Sequence, residues 1–576
     1  MPDRQAGGLG GLGGLKPGPP MDRGLGGLKA GPAAEPSPSP AEGGLDDAAQ
    51  RDLTTLARGG ALNLAGAVAT GLLHFVLLVI ITRGLGAHGT GAFYEAVALF
   101  LILSSAATLG ADVGLSRMVP RYRALGRVHD LRRGLSVSLW PVLAAGVVLG
   151  TLTFVYASEL ADVFSRGGET RQLTDFIRSF AVFIPVSALS LAVFAATRGF
   201  ATMRPTVYLD KIARPALQPL LVLAAVLAGA GSTVIALAYL GPYLPALVAG
   251  LAWMGLLLRR AERPRDGAPP PQPARPAGTL LRDFWRFTGP RGLAAIFQTT
   301  SLWLSTLLIG ALRSTREAGV YAASTRYLAM AAMAAVAIRQ VLAPKLSELL
   351  ARRSQERASS AYQTTTSWMV ALNWPVYLAL IAFGPALLQV FGRDFADGQV
   401  VLVILSATML VATAVGPVDV VLLMGGRSSW NLFNTLVSLG ANLALNFALT
   451  PRYGLAGAAV AFAVGILLNN LLPLVQVWRS MGLHPFGQGT GVAAALSAVS
   501  FGLVGLGIRA LLGPTVAGLV AYAAAGVGLY AVLLWRFRDR LEWEALRGIL
   551  RRRAGRSRSM GPGAGAATPN PPGAEA

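Results

Sequence analysis

Leu72-Leu73-His74-Phe75-Val76-Leu77-Leu78-Val79-Ile80-Ile81 is interrupted by a single histidine and is otherwise apolar on every face. It lies inside a window long enough to cross a bilayer, which takes about 20 residues of helix. A strand of a membrane barrel would alternate apolar and polar side chains over roughly ten residues, and this run does not alternate. Val142 to Val155 and Ala517 to Leu534 repeat the pattern, with Ala, Gly and Leu dominating. Of 576 residues only 14% are charged and 53% are hydrophobic, whereas soluble proteins carry roughly 25% charged residues. The chain is read as an all-α polytopic membrane protein with no water-soluble catalytic domain.

Working outward from these runs, about fourteen helices are expected, at roughly 60–82, 91–112, 134–156, 174–197, 212–230, 233–258, 288–311, 319–341, 364–391, 399–424, 430–449, 454–478, 488–510 and 514–535. Residues 1–55 repeat Gly-Leu-Gly-Gly-Leu and Pro-Ser-Pro, a composition too poor in apolar surface to fold, and read as a disordered arm. The arm lacks the basic start and cleavage site of a secretory signal, so the first spanning helix is expected to direct insertion. Helices one to six form a first lobe, 56–258. A Pro/Arg-rich linker, 259–286, separates it from a second lobe, 287–480, and two further helices follow in 481–537. The tail, 538–576, opens on a basic segment suited to anionic headgroups, with nine arginines between Arg536 and Arg558.

The net charge of +22 would suggest nucleic acid in a soluble protein. Here the basic residues fall between apolar runs and gather on alternate loops, heavily at Arg117 to Arg133 and Arg259 to Arg291, while the intervening loops carry two arginines at most. That is the positive-inside pattern, and it places both termini in the cytoplasm of a cell with the chain in its cytoplasmic membrane. No nucleic-acid partner is expected. The chain has no cysteine, which excludes disulfides and thiolate metal sites.

Shifting the chain by about 225 residues brings similar stretches into register. Leu85-Gly86-Ala87-His88-Gly89-Thr90-Gly91 meets Leu312 to Gly319, and Arg117-Met118-Val119-Pro120 meets Arg339 to Pro344. Arg198-Gly199 likewise pairs with Gly425-Gly426-Arg427. Six helices is an even number, so the two copies are parallel repeats, an arrangement that commonly rocks about a central cavity.

Three of these stretches carry a resemblance. They are Leu85 to Phe93, Leu109-Gly110-Ala111-Asp112-Val113-Gly114-Leu115-Ser116-Arg117, and Asn442 to Asn446 leading to Thr450-Pro451-Arg452-Tyr453-Gly454-Leu455-Ala456-Gly457. Over about residues 55–480 the chain resembles the polysaccharide-transporter, or O-antigen flippase-like, family of the multidrug/oligosaccharidyl-lipid/polysaccharide flippase superfamily. The resemblance implies two six-helix lobes in a V, with helices one, two, seven and eight lining a cavity. It also implies translocation of an undecaprenyl-pyrophosphate-linked oligosaccharide from the cytoplasmic to the outer leaflet. Partners implied are that lipid-linked glycan, membrane lipids, and glycosyltransferases or a polysaccharide polymerase.

Charges at membrane depth mark function. Arg326, about two turns into helix eight, is expected to contact the headgroup. Glu95, about one turn into helix two, is its resting partner, a proton-coupled carboxylate, half of a structural ion pair, or a carboxylate that sits at the membrane interface. Arg178 suits sugar binding or snorkelling to water. Asp419, beside Pro417, could carry a proton or satisfy backbone freed by the proline. His74 and Gln298 could bind substrate or bond between helices. Arg117 and Arg339 stand at equivalent inner helix ends and could draw an anionic substrate from the cytoplasm. Asn431, Asn434, Asn442 and Asn446 give helix eleven a polar stripe suited to packing.

No Gly-x-x-x-x-Gly-Lys-Ser/Thr, His-Glu-x-x-His or soluble carboxylate pair occurs. No enzyme activity, cofactor or metal is therefore expected. Rival readings are a drug or cation antiporter of the same superfamily, a flippase for the peptidoglycan precursor, and a non-transporting scaffold for glycan synthesis.

Overall fold

The computed structural model describes residues 40–165, 170–263, 276–352 and 354–538, and every regular element among them is helical. The chain divides into two units, Met1–Ala57 and Arg58–Ala576, and the bundle belongs to the second. In order the helices are α1 (Pro40–Thr108), α2 (Ala111–Ala124), α3 (Val128–Val155), α4 (Ala157–Phe164), α5 (Thr170–Gly199), α6 (Arg214–Leu227), α7 (Ser232–Leu240), α8 (Tyr243–Glu262) and α9 (Ala277–Leu312). After them come α10 (Thr315–Ala331), α11 (Met333–Ala351), α12 (Gln355–Leu388), α13 (Gln399–Val415), α14 (Val418–Met424), α15 (Ser428–Met481), α16 (Gln488–Ser497), α17 (Val504–Leu512) and α18 (Val516–Arg536). The helical backbone of α1 starts at Pro40, inside the stretch that composition reads as an arm, and residues 1–39 lie outside those described. So do 264–275 of the linker and 539–576 of the tail. α9 begins at Ala277, well before the expected 288, so linker sequence continues the helix.

Among the described residues ten stretches are long and apolar enough to cross a membrane, and the chain is a multi-pass membrane protein. Two of them exceed one crossing, Ala65–Ala124 with 60 residues and Ser429–Met481 with 53. At about 1.5 Å per residue a straight helix of 60 residues would reach about 90 Å, three times a hydrocarbon core of about 30 Å. Each is bent at a glycine whose backbone L-residues avoid: Gly86 in α1 at φ 66°, and Gly454 in α15 at φ 53°. Of the helices expected to span, α6 is 14 residues long but continues a π-helical stretch, Thr206–Ala213, without a break, and α10 carries Arg316, Glu317 and Arg326.

Burial grades the bundle. α5 packs on α3, α2, α7 and α8 and forms the centre of the first half. Phe176 and Phe180 of α5 meet Phe93 edge-to-face, Phe180 also meets Phe100 edge-to-face and stacks on Tyr239, and the pairs Phe93–Tyr239 and Phe100–Tyr243 extend the knot, with centroids 5.2–5.8 Å apart. Such pairs add about 0.5–1.5 kcal/mol each beyond their burial. The opposite extreme is α18, where Val520, Val527, Val532 and Trp535 are exposed, as lipid-facing side chains should be.

Candidate functional site

The two halves meet along one seam. The second leg of α1, after Gly86, continues into α2 against α9 and the start of α10. A Cβ on Gly91 would lie 1.7 Å from the Thr315 carbonyl oxygen, and one on Gly319 would lie 2.1 Å from that of Ala87. Further along, Ser105 accepts from Thr299 at 3.2 Å, and Gly110 and Gly292 abut backbone to backbone. The first leg of α1 runs beside α10, with Phe75 edge-on to Tyr327 at 5.3 Å.

Between these contacts lies a cavity of about 150 Å³. Tyr94, Val97 and Leu101 reach it from one face of α1's second leg and His74 from the first leg. Tyr239 and Tyr243, four residues apart, come from α7 and α8, and Trp303 from α9. Two arginines complete it. Arg326 holds its guanidinium 4.8 Å from the Trp303 ring and 5.3 Å from that of Tyr94. Arg214 lies 4.4 Å over Tyr243 and pairs with Asp210 at 3.0 Å. Asp210 neutralises Arg214, whereas Arg326 has no carboxylate partner among the described residues. The cavity is thus apolar and aromatic with one uncompensated cation, a setting in which a charge-assisted bond to an anion is strong. Ligand cavities usually measure roughly 300–1,000 Å³, so this conformation has room for a small anionic group and none for a glycan.

The other sequence candidates separate. His74 lines the cavity, beside Gln218, with its Nε2 buried and unbonded. Glu95 does not pair with Arg326. It is 1% exposed, neither carboxyl oxygen has a hydrogen-bond partner among the described residues, and it fills space that only a glycine at 310 leaves open. Tyr94 and Glu95 are neighbours on one helix, so their side chains diverge by about 100°, and the tyrosine takes the cavity face. Gln298 is exposed and does not line the cavity. Arg178 is exposed too, near Glu159. Glu159's own backbone amide, the Ser158 hydroxyl at 2.9 Å and the Arg178 charge hold that carboxyl below its usual range.

Arg339 and Asp419 come together as an ion pair at 3.2 Å, both partly exposed. Arg117 lines a separate, larger cavity at the far end of the seam. In the asparagine stripe, Asn434 and Gln476 exchange two bonds at 2.7 and 2.8 Å, and Asn446 reaches Ser305 of α9 at 3.4 Å. Sequence reading passes over Arg214, Tyr94, Tyr239, Tyr243 and Trp303. Two i, i+4 pairs, Asp210 with Arg214 and Tyr239 with Tyr243, are the signal it could have used.

Comparison with known proteins falls on this architecture. Residues 56–350 match the model of a family described as polysaccharide biosynthesis protein. Over 178 residues the chain is 25% identical to the probable low-salt glycan biosynthesis flippase Agl15 of Haloferax volcanii. That match spans 30% of this chain and about a third of the relative's length, 36%. Among solved structures, the lipid II flippase MurJ in an inward closed conformation superposes with a TM-score of 0.62 at 12% identity. It covers 82% of this chain and 99% of that one. An inward-facing multidrug resistance MATE family transporter of the MOP superfamily gives 0.60 at 14% identity, covering 72% and 94%. At such identities the likeness establishes the fold, which is that of membrane transporters.

Proposed function

Since the chain belongs to the polysaccharide biosynthesis protein family, we propose that it is a flippase for a lipid-linked oligosaccharide, a polyprenyl diphosphate carrying the glycan. Translocation runs from the inner to the outer leaflet of the cytoplasmic membrane by alternating access, with both termini cytoplasmic as loop charge directs. The observation that carries this reading is Arg326. It is a cation without a carboxylate partner among the described residues, held by aromatic rings in a cavity where the two halves meet. A cationic cavity suits a diphosphate and repels the cations that a drug antiporter would bind.

Fourteen crossings and two parallel repeats are part of the proposal. They are supported by the bends at Gly86 and Gly454, and by the reciprocity of the glycine contacts. Gly91 meets the carbonyl four residues before Gly319, and Gly319 meets the carbonyl four residues before Gly91. A two-fold axis along the membrane normal would produce that exchange. Glu95 is assigned the coupling proton, because a buried carboxyl without a hydrogen bond is expensive to keep unless it titrates during the cycle.

The test is flipping of a fluorescent polyprenyl-diphosphate oligosaccharide in proteoliposomes. A bond from a charged group to phosphate is worth about 1.5–3 kcal/mol, so Arg326→Ala should slow flipping about tenfold or more, with Arg326→Lys between. Full-rate flipping by a folded Arg326→Ala protein would remove the assignment. The same assay with a peptidoglycan precursor as cargo distinguishes the two kinds of lipid-linked substrate.

A further inference from the structure

Beyond the central cavity, the seam opens into a second space of about 590 Å³ at the turn between α2 and α3 and the first turns of α9. Among the described residues five arginines line it, Arg117, Arg121 and Arg127 from one half and Arg286 and Arg291 from the other, against one carboxylate, Asp283. Phe287 stands in its wall and takes two of these guanidiniums, Arg117 at 4.0 Å and Arg291 at 3.9 Å from the ring centroid. One ring therefore brings two cations from opposite sides of the seam within about 8 Å of each other, a repulsion that a bound anion would relieve. The guanidinium fork is the shape that grips phosphate with paired bonds. Orientation alone would require basic residues on this face. It would not require them to converge from both halves on one cavity and one ring.

We propose that this cavity is a second anion site, distinct from the Arg326 cavity, that binds a diphosphate group. Resting on the flippase reading, its natural occupant is the diphosphate headgroup of the lipid-linked glycan, held at the cytoplasmic end of the seam before it reaches Arg326. Withdrawal of Arg117 from Phe287 onto the phosphates would remove one contact that crosses the seam at this end, beside the packing of Gly110 on Gly292. Two adjacent phosphates match arginines contributed from two sides better than the single phosphodiester of a bulk anionic lipid does.

The full chain is placed in phosphatidylcholine nanodiscs and titrated calorimetrically with inorganic pyrophosphate. Saturable binding is expected, weakened about tenfold or more in Arg117→Gln/Arg291→Gln. Because those two side chains stack on Phe287 and their loss could disturb folding, Arg121→Gln/Arg286→Gln is measured as well, and it should weaken binding at least several-fold. Arg259→Gln/Arg260→Gln removes two charges from the end of α8, outside the cavity, and should leave affinity within about twofold. Unchanged affinity in both cavity variants, or equal losses in all three, overturns the proposal. So does displacement of pyrophosphate by phosphatidylglycerol included in the nanodisc, which would make a bulk lipid the occupant. Pyrophosphate carries no glycan, so a failure here leaves the flippase reading standing. Absent flipping with intact pyrophosphate binding would sink that reading alone.

Discussion

The two ends of the seam share close glycine packing and differ in the charge gathered beside it. At the Gly91 end, backbone touches backbone: Gly91 and Gly319 leave no room for a Cβ, and Glu95 fills the space beside Gly310. At the Arg117 end the halves also touch, at Gly110 against Gly292 and at Gly114 against Phe284 and Thr288, and beside those contacts they face each other across arginines, Phe287 and a cavity of about 590 Å³. The first closure is steric, short-ranged and indifferent to salt. The second, on the proposal above, adds charge to such packing and would change with whatever anion is present. A carrier that receives an anionic headgroup at one end needs this asymmetry, because only the charged end can sense its arrival.

The largest effect should come from breaking the steric end. Gly91→Val would drive a side chain into the Thr315 carbonyl, a backbone atom that cannot swing aside. Overpacking costs roughly 1–3 kcal/mol where neighbours can yield, and more is expected here. Gly91→Val and Gly319→Val should each lower the thermal unfolding midpoint sharply and abolish flipping. A valine at the exposed Arg286, at the other end, should change stability by less than about 0.5 kcal/mol. Equal melting of the two classes would erase the distinction between the ends.

A covalent tie sharpens the comparison next. The chain has no cysteine, so an introduced pair reports without background. Ser105 and Thr299 hold their hydroxyl oxygens 3.2 Å apart across the seam, between its two ends. Ser105→Cys/Thr299→Cys should oxidise readily, stop flipping when bridged and recover when reduced, read by gel shift and transport in parallel. Undiminished flipping by the fully bridged protein would show that the halves need not part along this seam.

The seam also shows how far sequence alone reaches. Apolar runs locate the helices because lipid demands them, and Leu85-Gly86 and Tyr453-Gly454 announce the bends because a positive φ needs glycine. Arg326 is legible because a lone cation at membrane depth has few places to go. Which face of a helix a residue occupies is less legible when every face is apolar. Gln298 precedes Trp303 by five residues, about 140° round the helix, and so leaves the cavity that Trp303 enters. Glu95 misses Arg326 by a single position. Arg214, Arg286 and Arg291 read as loop charges, since the positive-inside pattern explains them fully, and only the packing reveals that loops from two halves converge.

The smallest effect belongs to Arg83. Its guanidinium donates to the carbonyls of Gln389 and Val390 at 2.7 and 2.9 Å and ties the bend of α1 to the end of α12. At first sight it is the steric end's counterpart of Arg117 and Arg291. It is exposed, its acceptors are neutral, and hydrogen bonds of that kind are worth about 0.5–1.5 kcal/mol net, less where water competes. The glycine contacts beside it hold without its help. Arg83→Ala should therefore slow flipping less than threefold and leave the rate's dependence on salt unchanged, while Arg117→Gln/Arg291→Gln alters both. If Arg83→Ala shifted the salt dependence as strongly as that double variant, closure at the Gly91 end would also be electrostatic. The division between a packed end and a charge-sensing end would then fail.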